Sequence, residues 1–521
     1  MKTLMKIVLK GVLSLITFVL LAFVLFHIVE DIRGKRVLTQ HKRECVARGE
    51  NIGDWQSLIP SPIPDDDNIA MAPIFQDLIA GERRVHLPDL SSSVRTVSGL
   101  VWQTGKYENL DKWRVAFSND NLLTALSVYD DDLREIGEAL KRPLYHSKEW
   151  DNMSKNSISG PPASLVGYPA HRFASIYSLR ARARLEAKQY SDALEDVKFG
   201  FRLASLEQAD PTCISVLHRI GTLNIMLPPL WIGIHERVWD VHQLRTLQEL
   251  LESINLADHA ARAIQLESRF ALSFRQTHHA ERADGISFED TDIRGGRVLW
   301  EGALAPLLLS RISILQESAL PPFAKFIFRL IPKGWFEQNA VRYAQLCDRL
   351  SSAINADTRL FDVPTTKRED AAITAIIMGG KIHIYSIAVE AYSGAFPKMM
   401  KRGAKMQSTI HQAVIACAIE RYRFEHGRIP QRLDELVPTF LSKIPNDPID
   451  GQQIRYKLSG DNGYVLYSIG WNETDDNGEL AWMKKYEWSR HTIDIDNGDW
   501  IWRSYPVDDE KGQLVLPEGT K

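Results

Sequence analysis

The chain has 521 residues, a formal net charge of −3 and 44% hydrophobic residues. That length exceeds one ordinary core and predicts roughly two to four domains. Near-zero net charge, without a basic stripe or a run of like charge, speaks against nucleic acid as a partner.

From Ile7 to Val29 the sequence is almost entirely apolar, with Lys10 the only charge. Such a stretch, rising about 1.5 Å per residue, spans a hydrocarbon core of about 30 Å. A cleaved signal peptide is the alternative. The stretch is long for one, and Leu25-Phe26-His27-Ile28-Val29-Glu30 offers no small residues at a cleavage site. An uncleaved membrane helix is therefore favoured. Lys2, Lys6 and Lys10 precede the span, and Arg33, Lys35, Arg36, Lys42 and Arg43 follow it, so flanking charge does not decide orientation.

Asp31–Arg48 is charged and compatible with a continuing helix. Pro60, Pro62, Pro64 and Pro73 then predict an extended path instead of a regular helix. Two readings stay open for it: a linker, or a strap held on the next domain by Trp55, Leu58, Ile59, Ile63 and Ile69. Asn119–Leu140 shows helical spacing of Leu122, Leu123, Leu126, Leu133, Ile136 and Leu140. Ser159-Gly160-Pro161-Pro162 is a break.

From Pro169 to about Phe396 the pattern is helix after helix. Residues 172–205 place Ala174, Leu179, Ala181, Ala183 and Leu185 on one helix and Ala193, Leu194, Val197, Phe201 and Leu203 on the next. A polar turn at Lys188-Gln189 divides them. The pair resembles one tetratricopeptide hairpin, although Ser205 stands where that repeat carries proline; a plain alanine-rich hairpin is the other reading. Further helices are predicted over Val241–Ile254, Ala257–Gln276, Phe336–Ala353 and Ala371–Tyr392. The apolar segment 303–336 contains Pro306, Pro321, Pro322, Pro332, Arg311 and Arg329, which argue against a second span.

Lys405–His426 reads as an amphipathic helix with Ile410, Ala413, Val414, Cys417, Ala418, Arg421 and Tyr422 on its buried side, stopped by Gly427 and Pro430. Leu433, Leu436, Val437 and Leu441 mark a second, short helix. Turns follow at Pro445-Asn446-Asp447-Pro448 and Asp450-Gly451, then short strands at Ile454–Leu458 and Tyr464–Ile469 around Gly460-Asp461-Asn462-Gly463.

This ordered set, over about residues 399–502, resembles the globular part of the major pseudopilins of bacterial type II secretion. The resemblance rests on Tyr422, Glu425, Gly427 and Pro430, on Leu433 and Leu436, and on Pro445, Asp447, Pro448 and Gly451. It continues through Tyr456 and Leu466-Tyr467-Ser468-x-Gly470 to Thr492-Ile493-Asp494-Ile495 and Trp500. Ile429 replaces an aromatic residue, Ile449-Asp450 replaces a tryptophan, and the loop from Trp471 to Arg490 is longer. No membrane half-helix directly precedes the module, so it need not polymerise. The whole chain also resembles uncharacterised bacterial envelope proteins that join an anchor, a helical middle and this ending.

Four segments result: residues 1–30, a membrane anchor; 31–160, a proline-rich strap region with short helices; 161–397, an all-helical domain of hairpins; and 398–521, an α+β pseudopilin-like domain expected to fold alone. The resemblance implies a calcium ion in the acidic loops, held by Asp475, Asp476, Asp494 and Asp496. Ordinary turn chemistry is the alternative for these residues. The tryptophans Trp471, Trp482, Trp488, Trp500 and Trp502 read as core of a small sheet or as an exposed recognition surface.

Enzyme motifs are missing. His235-Glu236 with His242 fails the HExxH spacing, and there is no GxSxG, phosphate loop or GxGxxG; Gly379-Gly380-Lys381 lacks the rest of a phosphate loop. Cys45, Cys213, Cys347 and Cys417 are scattered without CxxC or metal-ligand spacing, which predicts isolated buried thiols. The expectation is a non-catalytic, single-pass protein of the bacterial inner membrane, its bulk extracytoplasmic. It would bind the membrane through residues 7–29 and other envelope proteins through the rest, in interaction or assembly related to secretion. The alternative is a metal-dependent hydrolase of the envelope using His278, His279 and Glu281 or the acidic loops.

Overall fold

The computed structural model describes residues 2–49, 55–80, 121–148, 150–151, 167–273, 332–378, 385–386, 389, 393–460, 463–483, 493–504, 507–508 and 513–514. The expectations for His278, His279, Glu281, Gly379-Gly380-Lys381, Trp488 and most of the apolar segment 303–336 lie outside the described residues.

The chain starts with one long helix, α1 (Lys2–Ala47). Its apolar part is long enough to cross a membrane, with a mean hydropathy of 2.8 and none of it buried. The helix does not end where the apolar residues end. It runs on through the charged segment and packs there on the body.

The proline-rich segment is a strap. A 3-10 turn (Trp55–Leu58) leads into extended chain. Leu58 and Ile59 pack on Trp150, Leu266 and Phe270, and Ile69 is fully buried. Asn68 holds the strap by donating to the His146 carbonyl at 2.8 Å. Pro73 departs from the extended expectation: it opens α2 (Pro73–Ala80), a first-turn position where the missing N–H costs nothing. The helix expected over 119–140 is α3 (Asn121–Leu126) and α4 (Asp130–Ala139), joined by a 3-10 turn.

The predicted hairpin is α5 (Gly167–Glu186) and α6 (Tyr190–Leu206). Arg180 and Arg184 of α5 both reach the buried Asp196 of α6 at 2.7 Å. Then follow α7 (Cys213–His235), α8 (Val241–Glu252), α9 (Leu256–Ser273), α10 (Lys333–Ser352) and α11 (Val363–Met378). Between α10 and α11 lies a small ladder, β1 (Ile354–Asn355) and β2 (Leu360–Phe361).

The C-terminal part opens with α12 (Phe396–His426), capped by Gly427 at φ 70°. Three antiparallel strands form its sheet in the order β3 (Arg455–Ser459), β4 (Gly463–Ser468), β7 (Trp500–Arg503). The central strand β4 is buried along its whole length. Leu466 faces Tyr456 on one side and Trp502 on the other. Beside this sheet, β5 (Leu480–Trp482) pairs with β6 (Ile493–Gly498), and β8 (Val507–Asp508) pairs with β9 (Gln513–Leu514).

α12 is wrapped on every side from Met406 to Tyr422, not on one face alone. One apolar core runs from Ile69 through α3–α8 and α12 into β4 and β7, so it crosses the boundary placed at 397/398. Polar side chains of α12 bond to both halves. Gln407 accepts from Leu256 N at 2.8 Å, and Gln412 donates to the Trp500 carbonyl at 2.7 Å. From the other side, Trp231 Nε1 of α7 donates to the Arg503 carbonyl at 2.8 Å.

Candidate functional site

Beyond its apolar stretch, α1 buries a narrow stripe of unusual composition. Glu30, Gly34, His41 and Cys45 are buried, with Val37 and Leu38 half-buried between them. The spacing of four and three residues keeps them on one helix face. That face lies against α10 and α9, where Val37, Leu38 and Cys45 join Leu272, Val341 and Ala344 in a small apolar cluster.

At its near end the backbones of α1 and α10 touch. A Cβ on Gly34 would stand 2.4 Å from Gly334 Cα, and one on Gly334 only 1.8 Å from the Glu30 carbonyl oxygen. Glycine is required on both helices. Polar bonds frame the crossing. Gly334 N donates to Asp31 Oδ1 at 2.8 Å, and Glu30 accepts from Gln338 Nε2 at 3.2 Å and Tyr385 OH at 3.1 Å. The Trp335 ring meets Phe26 and Tyr385 edge-on, with centroids 6.0 Å apart in each case.

At the far end three side chains of metal-ligand type converge. His41 Nε2 lies 3.6 Å from Cys45 Sγ and 3.9 Å from Asp348 Oδ2. The three ligand atoms all fall within 4.8 Å of one another, with His41 and Cys45 buried. Ser268 Oγ donates to the other carboxylate oxygen, Asp348 Oδ1, at 2.6 Å and so fixes the carboxylate plane. Arg48 Nη2 stands 3.1 Å from Cys45 Sγ and 3.6 Å from Asp348 Oδ2. A cavity of about 320 Å³ opens beside them, lined by Cys45 and Asp348 and by Gln265, Ser268, Arg269 and Ser351 among others. The arrangement is not a nucleophile–base–orienter relay. Such a relay uses both imidazole nitrogens, whereas here thiol and carboxylate face the same Nε2.

The acidic residues of the C-terminal part are placed differently. Asp475 and Asp476 sit in the loop between β4 and β5; Asp494 and Asp496 sit on β6. Asp475 Oδ1 accepts from Asn477 N at 2.8 Å, and Asp476 Oδ2 accepts from Asn472 Nδ2 at 2.8 Å. Asp494 accepts from Asp496 N and Asn497 Nδ2 at 2.9 Å each, and Asp496 pairs with Lys401 Nζ. Among the described residues, the set of three His, Cys, Asp or Glu side chains with ligand atoms gathered this closely is His41, Cys45 and Asp348, not these four.

Two other aspartates organise this region. Asp447 is fully buried and accepts from Ser468 Oγ at 2.8 Å, Ile469 N at 3.1 Å, Ile449 N at 3.0 Å and Arg455 Nη1 at 2.8 Å. Burial raises its pKa to about 6 in spite of those donors. Asp499 accepts from Gly478 N at 2.6 Å and Asp476 N at 3.2 Å, and burial raises it to about 6 as well. Gly470 adopts φ 67° with the Gly498 carbonyl oxygen 2.3 Å from where a Cβ would be, so the last glycine of Leu-Tyr-Ser-x-Gly has a steric reason. Trp471, Trp500 and Trp502 are buried and belong to the core.

Other pairings are structural. Ser215 Oγ lies 3.2 Å from His259 Nε2, but both residues are fully buried, and the hydroxyl bonds to the Asp210 and Thr212 carbonyls. His235 stacks on Trp231 and bonds through Nδ1 to the Ser504 carbonyl at 2.9 Å. A second cavity of about 610 Å³ lies between α4, α6 and α8, lined by Leu140, Phe199, Leu250, Lys198, Arg202 and Glu249 among others.

The sequence expectation of scattered thiols without metal-ligand spacing missed the His41 group. Its signal is His-x₃-Cys on a charged helix; the third partner, Asp348, is remote in sequence. No family model, no curated protein and no solved structure matches the chain.

Proposed function

We propose that this protein is a membrane-anchored envelope protein that works in protein–protein interaction or assembly and carries no catalytic step of its own. Residues 7–29 cross the inner membrane of a bacterium, and the body stands on the extracytoplasmic side. The observation that carries the reading is the continuity of α1. The apolar helix enters the body without a hinge, and it docks there through a glycine-to-glycine backbone contact with α10. An enzyme that only needs to be kept near a membrane is served by a flexible tether. A stiff, docked helix sets the height and direction of the body over the bilayer, which matters for a part of an assembly.

The resemblance to pseudopilins supports secretion-related envelope partners and the extracytoplasmic side. It also supports calcium at Asp475, Asp476, Asp494 and Asp496, which would require Lys401 to release Asp496. Millimolar calcium should then raise the melting temperature of the full chain over that in chelator. An unchanged temperature would leave these as turn residues.

The main test uses native membranes. Protease added to spheroplasts should digest the body and spare the span; full protection would reverse the orientation. Photo-crosslinkers placed at Lys198 and Lys457 should each yield a discrete adduct with another envelope protein. A chain that gives only monomer from such positions over its whole surface is not an assembly component.

A further inference from the structure

We propose that His41, Cys45 and Asp348 form a binding site for a borderline-soft divalent metal ion of the zinc class, which clips the stem of α1 to α10. The geometry carries this. A tetrahedral zinc ion, with bonds of about 2.3 Å to sulfur and about 2.0–2.1 Å to nitrogen or oxygen, sets sulfur about 3.6 Å from nitrogen and nitrogen about 3.4 Å from oxygen. The sulfur–nitrogen separation here is 3.6 Å and the nitrogen–oxygen separation 3.9 Å. Asp348 has to move in by roughly half an ångström on the nitrogen–oxygen edge, and the sulfur–oxygen edge, within 4.8 Å here, has to close toward about 3.6 Å. His41 and Cys45 are four residues apart on one helix, so the backbone already sets two ligands on the same face.

The surroundings fit a coordination site. Ser268 Oγ holds Asp348 Oδ1 at 2.6 Å and leaves Oδ2 turned toward His41, the outer-shell support that ligating carboxylates carry. The cavity beside Cys45 and Asp348 has room for water as the fourth ligand. The donor set of one thiolate, one imidazole and one carboxylate excludes magnesium and calcium, which take all-oxygen shells. On the anchored reading, His41 and Cys45 lie 12 and 16 residues beyond Val29. That is about 18–24 Å along the helix, clear of the hydrocarbon and within reach of aqueous ions.

Arg48 bears on the chemistry. Its guanidinium approaches both Cys45 Sγ and Asp348 Oδ2, where a metal would put its own charge. The side chain is 46% exposed and sits one residue past α1. In our reading it supplies the positive charge to the metal-free site and swings outward on binding. Coordination takes the proton from the Cys45 thiol and releases it to solvent, so affinity rises with pH.

The test uses the full chain in detergent, stripped with chelator and titrated with cobalt(II). A thiolate-to-cobalt charge-transfer band in the near ultraviolet, with tetrahedral bands in the visible, is expected at one equivalent; zinc should bleach both. Cys45→Ser should lose the charge-transfer band, and Asp348→Asn and His41→Gln should lose the tetrahedral bands. Ser268→Ala should weaken binding by roughly 10–100-fold. Arg48→Ala should bind at least as tightly as the wild type, a result a merely structural ion network does not give. Circular dichroism confirms that each variant is folded. No cobalt spectrum in folded wild-type chain, or a charge-transfer band that survives in Cys45→Ser but disappears in Cys213→Ser, overturns the proposal.

Discussion

Replacing Gly334 by alanine tests how α1 is held. Its new Cβ would lie 1.8 Å from the Glu30 carbonyl oxygen, 2.4 Å from the Glu30 carbonyl carbon and 2.9 Å from Asp31 Cα. All three are backbone atoms of α1, so no side chain can turn away. Close carbon–oxygen contacts run at about 3.3–3.6 Å, so α1 must retreat by about 1.5 Å. That breaks the 2.8 Å bond from Gly334 N to Asp31 and stretches the two bonds to Glu30. Overpacking costs about 1–3 kcal/mol, and each lost bond to a charged group about 1.5–3 kcal/mol before water takes its place. Against this, alanine gains about 1 kcal/mol of helix propensity. The net loss of docking is about 3 kcal/mol, which raises the population of the undocked stem roughly a hundredfold. Maleimide labelling of Cys45, which is 2% exposed, reads that population directly once peptides are mapped by mass spectrometry. Gly11→Ala is the control, since a Cβ there meets nothing within 4 Å. If Gly334→Ala labels at the wild-type rate while Cys417 stays protected in both, the backbone contact does not hold the stem.

Further outcomes follow from the C-terminal half. Asp447→Ala leaves the buried Ser468 hydroxyl and Ile469 N without their acceptor, while Arg455 keeps Asp450, so denaturant unfolding of the full chain should show a loss of about 2–4 kcal/mol; a loss under 1 kcal/mol would mean that water replaces the carboxylate. His411 is lowered by burial from 6.5 to about 4, its Nδ1 donating to the Asn446 carbonyl at 2.7 Å. The unfolded chain takes up that proton first, so stability complete above pH 6.5 falls as pH drops toward 4. His411→Gln should flatten this limb by about 3 kcal/mol, and parallel profiles would refute the assignment. Asp447 runs the other way: raised from 3.8 to about 6, it contributes most below pH 3.8 and loses that contribution as pH rises through 6. A fragment beginning at Lys398 leaves α12 without α7, α8 and α9, and its melt should lack a cooperative transition; a sharp two-state melt would show that β3, β4 and β7 cover the helix well enough alone.

The sequence carried the elements whose signal is local. The apolar run of α1, the α5–α6 hairpin and the strands β3 and β4 appear where periodicity and turn residues set them. Turn chemistry also marked Asp447, although only the fold shows it as the acceptor that joins the Pro445–Pro448 turn to the end of β4. What was not legible depends on partners remote in sequence. Gly334 in isolation reads as a poor helix residue; its reason is the Glu30-Asp31 backbone, about three hundred positions earlier. Asp348 reads as a surface carboxylate on a helix until α1 brings His41 and Cys45 to it. The strap stayed ambiguous because Leu58 and Ile59 reveal their role only through Trp150 and Phe270. Arg421 belonged to the predicted buried face of α12, and burial of a charge made sense only with Gln248 and the Phe440 carbonyl accepting from it at 2.8 and 3.2 Å.

These contacts bear on how the parts of the chain are joined. α12 bonds to the helical body at Ile254, Leu256 and Gln248, and to the C-terminal segment at Asn446 and Trp500. α7 reaches the same strands through Trp231 and His235. A hinge between body and sheet would have to break both sets and divide one apolar core, so the two move together. The stem of α1 adds the third piece through Gly34, Glu30 and the His41 cluster. Among the described residues, a cavity of about 320 Å³ flanks this junction, lined by Cys45 and Asp348 among others. An ion bound as proposed at His41, Cys45 and Asp348 would favour the docked stem by mass action, so that docking of the stem would follow ion concentration.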